Sequence, residues 1–212
     1  MSRFAILLDG PCEPTSRLRD AVRGWRAIAA DGGMRHAAAL DLAPELWVGD
    51  FDGTSPDLLA AHGTPRDVHP TAKHATDGEI AVRAALDRGA TSLLLVGALG
   101  GPRVDHALGL LALAVATAGR GVGVALTDGR QWALPLLPDR PLELDAPGRT
   151  LSVVGLSDLA GLSLTGVRWP LDGADVPLGS SRTLSNETRG PVAATLRSGR
   201  ALVIHGPGDG DD

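Results

Sequence analysis

The chain has 212 residues, 43% of them apolar and 21% charged, enough for one large globular domain or two small ones. A formal net charge of -5, with 20 Lys and Arg residues scattered along the chain, leaves no basic footprint and argues against nucleic acid as a partner. No uncharged apolar run approaches about 18 residues and only about five apolar residues precede Asp9, so neither a membrane span nor a signal peptide is expected, and the protein reads as cytoplasmic. The single Cys12 excludes an internal disulfide and makes a thiolate metal cluster implausible.

In chain order, the apolar run Phe4–Leu8 ends in Asp9-Gly10-Pro11, and Leu18, Val22 and Trp25 follow at helical spacing, a strand-loop-helix opening. A second run, Ala27–Ala30, stops at Asp31-Gly32-Gly33 before an Ala-rich segment, Met34–Leu40, that reads as helix. A third, Leu46-Trp47-Val48, stops at Gly49-Asp50-Phe51-Asp52. Short apolar runs ending in Gly and Asp predict buried parallel strands whose carboxyl ends open into loops, where open α/β sheets bind ligands. If the backbone over Asp50-Phe51-Asp52 is extended, both carboxylates share one side and attract a hard cation. An Asp-rich turn is the other reading of the same residues.

Pro56 suits the first turn of a helix to about His62. Residues 67–75 read as polar and irregular, and Thr76 with Glu79 three residues on forms a capping box before the helix of Ile80 to Leu86. Glu79 is thus either a cap or a functional carboxylate, and Asp77 is favoured at the helix start by the dipole. Ser92–Val96 is a further strand, followed by a Gly-rich loop, Gly97 to Gly101, then Pro102-Arg103-Val104-Asp105-His106 and a helix through about Ala118. Such loops let backbone N–H groups approach phosphate, although neither a Walker loop nor a GxGxxG after a strand occurs. With Val122–Thr127, strands and helices alternate to about residue 128, the pattern of a parallel sheet covered by helices.

Beyond Asp128 prolines punctuate short runs such as Thr150–Val154, Leu162–Leu164, Val192–Leu196 and Ala201–Ile204, which suggests a small antiparallel sandwich or barrel. The expected fold is therefore an α/β parallel-sheet domain over residues 1–128 followed by a small β-sandwich over residues 129–212, with a frayed tail from Gly206.

Taken together, ADGG, GDFD, K-x-x-TD-x-E, GG-x-R-x-DH and the later Ser185-Asn186-Glu187, in this order across both halves, resemble the thiamine pyrophosphokinase family. The resemblance implies a nucleotide-binding domain followed by a thiamine-binding one, and a homodimer with active sites between subunits. It also implies transfer of diphosphate from ATP to the hydroxyl of thiamine, with AMP as the other product. It places Mg²⁺ and catalysis on Asp50, Asp52 and Asp77. ATP would fall to Asp31, Gly32, Gly33, Lys73, Gly101, Arg103, Asp105 and His106, and thiamine to Thr76, Glu79, Ser185 and Asn186. Three positions depart from the family pattern. His74 follows Lys73 where an Asp is usual, Pro102 lengthens the Arg103 motif by one residue, and Asp9 stands where many relatives carry Asn.

The residue chemistry agrees, because diphosphoryl transfer asks a protein mainly to position groups and to neutralise charge on phosphate oxygens. One of Asp50, Asp52 and Asp77 is suited to accept the substrate hydroxyl proton, and Arg103 suits phosphate through bidentate contacts unless it simply pairs with Asp105. His106 is the poorer base, being placed as a hydrogen-bonding residue near a helix start. Three other readings stay open: a diphosphokinase of another primary alcohol such as a hydroxymethylpterin, a catalytically weak nucleotide-binding regulatory protein, and an Asp-dependent phosphatase.

Overall fold

The apolar run near the N-terminus becomes the centre of a parallel sheet. The computed structural model describes residues 1–52, 54–70, 74–145 and 149–206, which divide into two units, Met1–Gly129 and Arg130–Asp212. Lys73 and the tail from residue 207 lie outside the described residues.

In the first unit β1 (Ser2–Leu7) is flanked by β2 (Arg26–Ala30) and β5 (Ala90–Val96); β3 (Leu46–Gly49) and β4 (Arg66–Val68) extend one side, and β6 (Gly123–Thr127) the other. All these pairs are parallel. The chain runs outward from β1 to β4 and then returns to the far side of β1 with β5, so its direction of travel reverses between β1 and β5. Ligand crevices form beyond the carboxyl ends of strands at such a reversal. Phe4, Ile6, Leu7, Ile28 and Leu95 are fully buried, as continuous apolar strands of a two-sided parallel sheet must be.

Helix α1 (Ser16–Val22) is capped by the Thr15 hydroxyl, and α2 (Pro56–Ala61) by that of Ser55 with proline in its first turn. Helices α3 (Asp77–Asp87) and α4 (Val104–Ala118) bury Ala81, Val82 and Ala85, and Ala114, Val115 and Ala118, respectively. Their small side chains allow close seating.

Two segments differ from the sequence reading. Residues 34–40 form no α-helix; they lie in two 3₁₀ turns, Asp31–His36 and Ala38–Leu40. The buried apolar residues there, Met34, Ala37 and Leu40, recur every third position, and three residues per turn is the 3₁₀ period. The segment expected to be irregular, residues 67–75, overlaps β4, an edge strand whose three residues are all exposed, so it carries no apolar pattern to read.

The second unit is antiparallel. Strands β7 (Trp132–Leu136), β13 (Ala201–His205) and β9 (Thr150–Gly155) form one ladder, and β11 (Leu171–Val176), β10 (Leu159–Val167), β12 (Asn186–Thr195) and β8 (Leu142–Asp145) another. Strand β12 joins both, pairing Asn186 and Glu187 with β9 and its later residues with β8 and β10. Leu136, Leu151, Val153 and Val203 from the first ladder and Leu162, Leu164, Val176 and Val192 from the second share one core. The four runs expected as strands fall in β9, β10, β12 and β13. Strands β7, β8 and β11 were not legible: β7 contains Pro135, and β8 and β11 expose half or more of their side chains.

Candidate active site

The carboxyl ends of β1 and β2, the loop after β5 and the first turns of α3 and α4 enclose a cleft of about 490 Å³ in the first unit. Leu8, Asp9 and Gly10 follow β1; Ala30 and Asp31 end β2; Gly97 and Gly100 to Arg103 follow β5. Thr76 caps α3, which supplies Asp77 and Glu79, and Asp105, His106, Leu110 and Leu113 come from α4.

Asp31 is the most constrained of these. Its φ of +42° lies in the left-handed region that non-glycine residues seldom occupy. Three contacts hold it there: the Trp47 indole N–H donates to its carbonyl at 2.8 Å, the Phe51 amide donates to its Oδ1 at 3.3 Å, and its carboxyl hydrogen-bonds Asp77. A β-carbon on Gly49 would overlap Asp31 Oδ1, so the residue that ends β3 has to be glycine. Burial, the hydrogen bond and charge of Asp77, and the nearby Asp50 push the Asp31 carboxyl up to about 7. Trp47 is itself fully buried, packs edge-on against Phe51 at 5.2 Å, and lies under the Arg66 guanidinium at 5.3 Å.

The loop after β3 differs from the expectation. Phe51 has φ +63°, so Asp50-Phe51-Asp52 is not extended and the alternation that would point both carboxylates one way does not apply. Asp50 Oδ1 instead accepts from the Asp52 amide at 3.1 Å, an Asx turn. Neither residue lines the cleft; they stand on the loop beside Asp31.

The capping box is half formed. Thr76 Oγ1 accepts from the Glu79 amide at 3.3 Å, but the Glu79 carboxylate accepts from Arg83 one turn on. Arg103 donates through Nε and Nη2 to both carboxylate oxygens of Asp105, at 2.9 and 2.6 Å, and this bidentate pair holds the Asp105 carboxyl well below the usual range. The guanidinium is thus committed to a neighbour while still lining the cleft. Gly100 and Gly101 adopt φ of +84° and +102°, which keeps the loop free of side chains where it approaches the space. Cys12 is half-buried, and burial with nearby Asp128 and Glu13 pushes its thiol up to about 11, consistent with an inert residue.

The sequence reading missed the apolar wall and Arg35. His106, Leu110 and Leu113 lie at i, i+4 and i+7 on α4, one face of a helix, and that spacing was available as a signal. Arg35 donates to Asp9 across the loops after β1 and β2, a contact with no local sequence signature.

In the second unit Ser185 has φ +54°, and its amide donates to Ser152 Oγ at 3.0 Å. Asn186 is buried: its Oδ1 accepts from the Trp169 amide at 3.1 Å and its Nδ2 donates to the Trp169 carbonyl at 2.8 Å. Trp169 itself is 53% exposed, with the Arg168 guanidinium 4.6 Å from its ring centroid.

As they stand, the described residues gather no three His, Cys, Asp or Glu side chains closely enough to hold a metal ion. The donor chemistry nevertheless suits a hard cation. Asp31 and Asp77 face each other through a hydrogen bond with Asp50 nearby, and Mg²⁺ takes one or two protein carboxylates and completes its shell with water and phosphate. No described helix is long and apolar enough to cross a membrane.

Two family models match the chain: thiamin pyrophosphokinase, catalytic domain, over residues 23–126, and thiamin pyrophosphokinase, vitamin B1 binding domain, over residues 140–202. The thiamine pyrophosphokinase of Bacillus subtilis (strain 168) is 28% identical over 166 residues, covering 76% of this chain and 77% of that protein. Among solved structures, thiamin pyrophosphokinase from Geobacillus thermodenitrificans superposes with a TM-score of 0.83 at 25% identity, covering 98% and 99% of the two chains. The Candida albicans enzyme shares the fold, with a TM-score of 0.80 at 15% identity over 97% and 89%. Two models of one family thus account for both units in order, and the chain belongs to the thiamin pyrophosphokinase family.

Proposed function

We propose that the protein transfers a diphosphate group from ATP to the hydroxyl of thiamine, giving thiamine diphosphate and AMP. The observation that carries this reading is the cleft at the carboxyl ends of the parallel strands, where the Asp31–Asp77 pair faces a side-chain-free Gly100-Gly101 loop. Oxygen donors on one side and approachable backbone on the other suit a metal-bound polyphosphate.

For AMP to leave, the thiamine oxygen must bond to the β-phosphorus while the bond from that phosphorus to the AMP oxygen breaks, and the hydroxyl proton must pass to a base. Asp77 faces the cleft and takes that proton; Asp31, tied to it, fixes its orientation. Mg²⁺, when bound, would be held by Asp77 and Asp50 with Asp52 and Asp31 close by, and it supplies charge neutralisation on the phosphate oxygens. Gly101 lets the nucleotide approach, while Arg103, Asp105 and His106 line its end of the cleft. Gly32 and Gly33, expected beside the nucleotide, do not line the cleft; the room their missing side chains leave is taken by the Asp9 carboxylate and the Leu7 carbonyl. Lys73 belongs to the same set by family pattern. Thr76 and Glu79 flank the transfer point. Ser185 and Asn186 serve thiamine, Asn186 through its hold on the Trp169 backbone.

The finer fold reading is a nucleotide-binding first unit and a β-sandwich second unit, supported by the core that the two antiparallel ladders share. A cytoplasmic homodimer with sites between subunits belongs to the same reading and rests on the family resemblance; light scattering on the purified chain tests the dimer.

The test of function is incubation of purified protein with Mg²⁺, ATP and thiamine, with AMP and thiamine diphosphate measured together by chromatography. Equal formation of both is expected. ADP in place of AMP, or turnover only with a pterin alcohol, would overturn the reading.

A further inference from the structure

Five carboxylates line the cleft: Asp9, Asp31, Asp77, Glu79 and Asp105. Three of them have an arginine of their own, Glu79 with Arg83, Asp105 with Arg103 and Asp9 with Arg35, while Asp31 and Asp77 face each other. The Asp9–Arg35 pair differs from the other two in joining separate loops. Arg35 lies in the 3₁₀ turn after β2; its guanidinium donates to the Asp9 carboxylate and the Asp9 carbonyl, to the Gly10 carbonyl at 3.2 Å, and to the Gly32 carbonyl at 3.1 Å. Four oxygens from both sides of the cleft wall are gathered on one cation. His36 Nε2, 3.0 Å from the Gly10 carbonyl, braces the same loop.

We propose that Arg35 is a charge-compensating positioning residue: it cancels the Asp9 carboxylate so that the polyphosphate can approach the loop after β1, and it ties that loop to the turn bearing Asp31. The inference rests on the functional reading above, which puts the polyphosphate in the cleft that Asp9 lines. An uncompensated aspartate there stands against phosphate oxygens, and like charges at close range weaken binding. The pairing also accounts for how this chain carries Asp at position 9: the charge arrives together with its counter-ion.

A strut that only shapes the loops and a compensating charge make different predictions for the double variant. Mg²⁺–ATP binding by calorimetry, and KM for ATP and for thiamine, are measured on the unaltered chain, Arg35→Met, Arg35→Lys, Asp9→Asn and Asp9→Asn/Arg35→Met. Arg35→Met is expected to weaken ATP about tenfold, more at low than at high ionic strength, with KM for thiamine unmoved. The double variant recovers most of that loss, because the charge that needed cancelling is gone. Arg35→Lys, which keeps the charge but cannot span four oxygens, retains most of the affinity even should Arg35→Met fold poorly. ATP binding by Arg35→Met equal to that of the unaltered chain, a double variant as weak as Arg35→Met, or an Arg35→Lys equally weak would each overturn the inference while leaving the functional reading in place. Failure of the unaltered chain to bind Mg²⁺–ATP at all would overturn both.

Discussion

The two units place their chemistry-bearing side chains by different means. In the first, parallel strands all end on the same rim, so the loops after β1, β2, β3 and β5 converge there whatever their side chains do. In the second, antiparallel strands end on both rims, and position comes from side-chain clamps: the buried Asn186 amide grips the Trp169 backbone at both its N–H and its carbonyl. Asp77, Arg103, Asp105 and His106 of the first unit line an open cleft, whereas Asn186 faces its own fold. Substitutions in the first unit should therefore be read in turnover, and in the second they should be read partly in stability.

The sharpest way to break that contrast is Asp77→Asn. Losing a carboxylate that serves both charge neutralisation and proton transfer is expected to lower kcat about a hundredfold with an unchanged melting temperature. A large drop in melting temperature would show that Asp77 is structural. Asn186→Ala should act the other way, costing about 1–3 kcal/mol of stability by stranding the Trp169 backbone groups, with KM for thiamine rising alongside. Chemical denaturation decides; unaltered stability would erase the distinction between the units.

Asp50→Asn sharpens the role of the loop after β3, with an expected loss of at least about tenfold in kcat, recovered in part at raised Mg²⁺. Full activity would remove Asp50 from the metal site. The smallest effect is on pH. Asp31 titrates near 3.8 in an unfolded chain and at about 7 when folded, so the folded state binds more protons between those values. Its contribution is fully present below the unfolded value and is lost as pH rises through about 7. Melting curves of the metal-free chain should fall over that interval and flatten in Asp31→Asn; parallel slopes would show that this carboxyl is not responsible.

Much of the first unit was legible because a two-sided parallel strand leaves an unbroken apolar run, as in Phe4–Leu8 and Ser92–Val96, and because a loop entry announces itself by Gly and Asp. Thr76 was legible as a cap for a similar reason, since a hydroxyl three residues before an amide is a local relation. The partners of Glu79 and Asp9 were harder. Glu79 has two acceptable partners within four residues, and it takes Arg83 rather than the Thr76 amide. Asp9 meets Arg35 only after two strands have paired. Strands β8 and β11 of the second unit were missed because strands that expose half or more of their side chains carry little hydrophobic pattern.

Sequence alone determined the parallel strands β1, β2, β3, β5 and β6, the change of texture near residue 128, and the motif set that marks the family, because each is written in residues adjacent along the chain. Tertiary structure decided what the carboxylates do. It turned Phe51 into the left-handed region, which breaks the extended alternation over Asp50 to Asp52, and it seated Asp31 on Gly49 under the Trp47 indole. It also gave Asp9 an arginine from a separate loop and set Asp31 against Asp77. Burial and the distance between charges set the electrostatics of such a site, and both arise only when segments far apart in the chain are packed together.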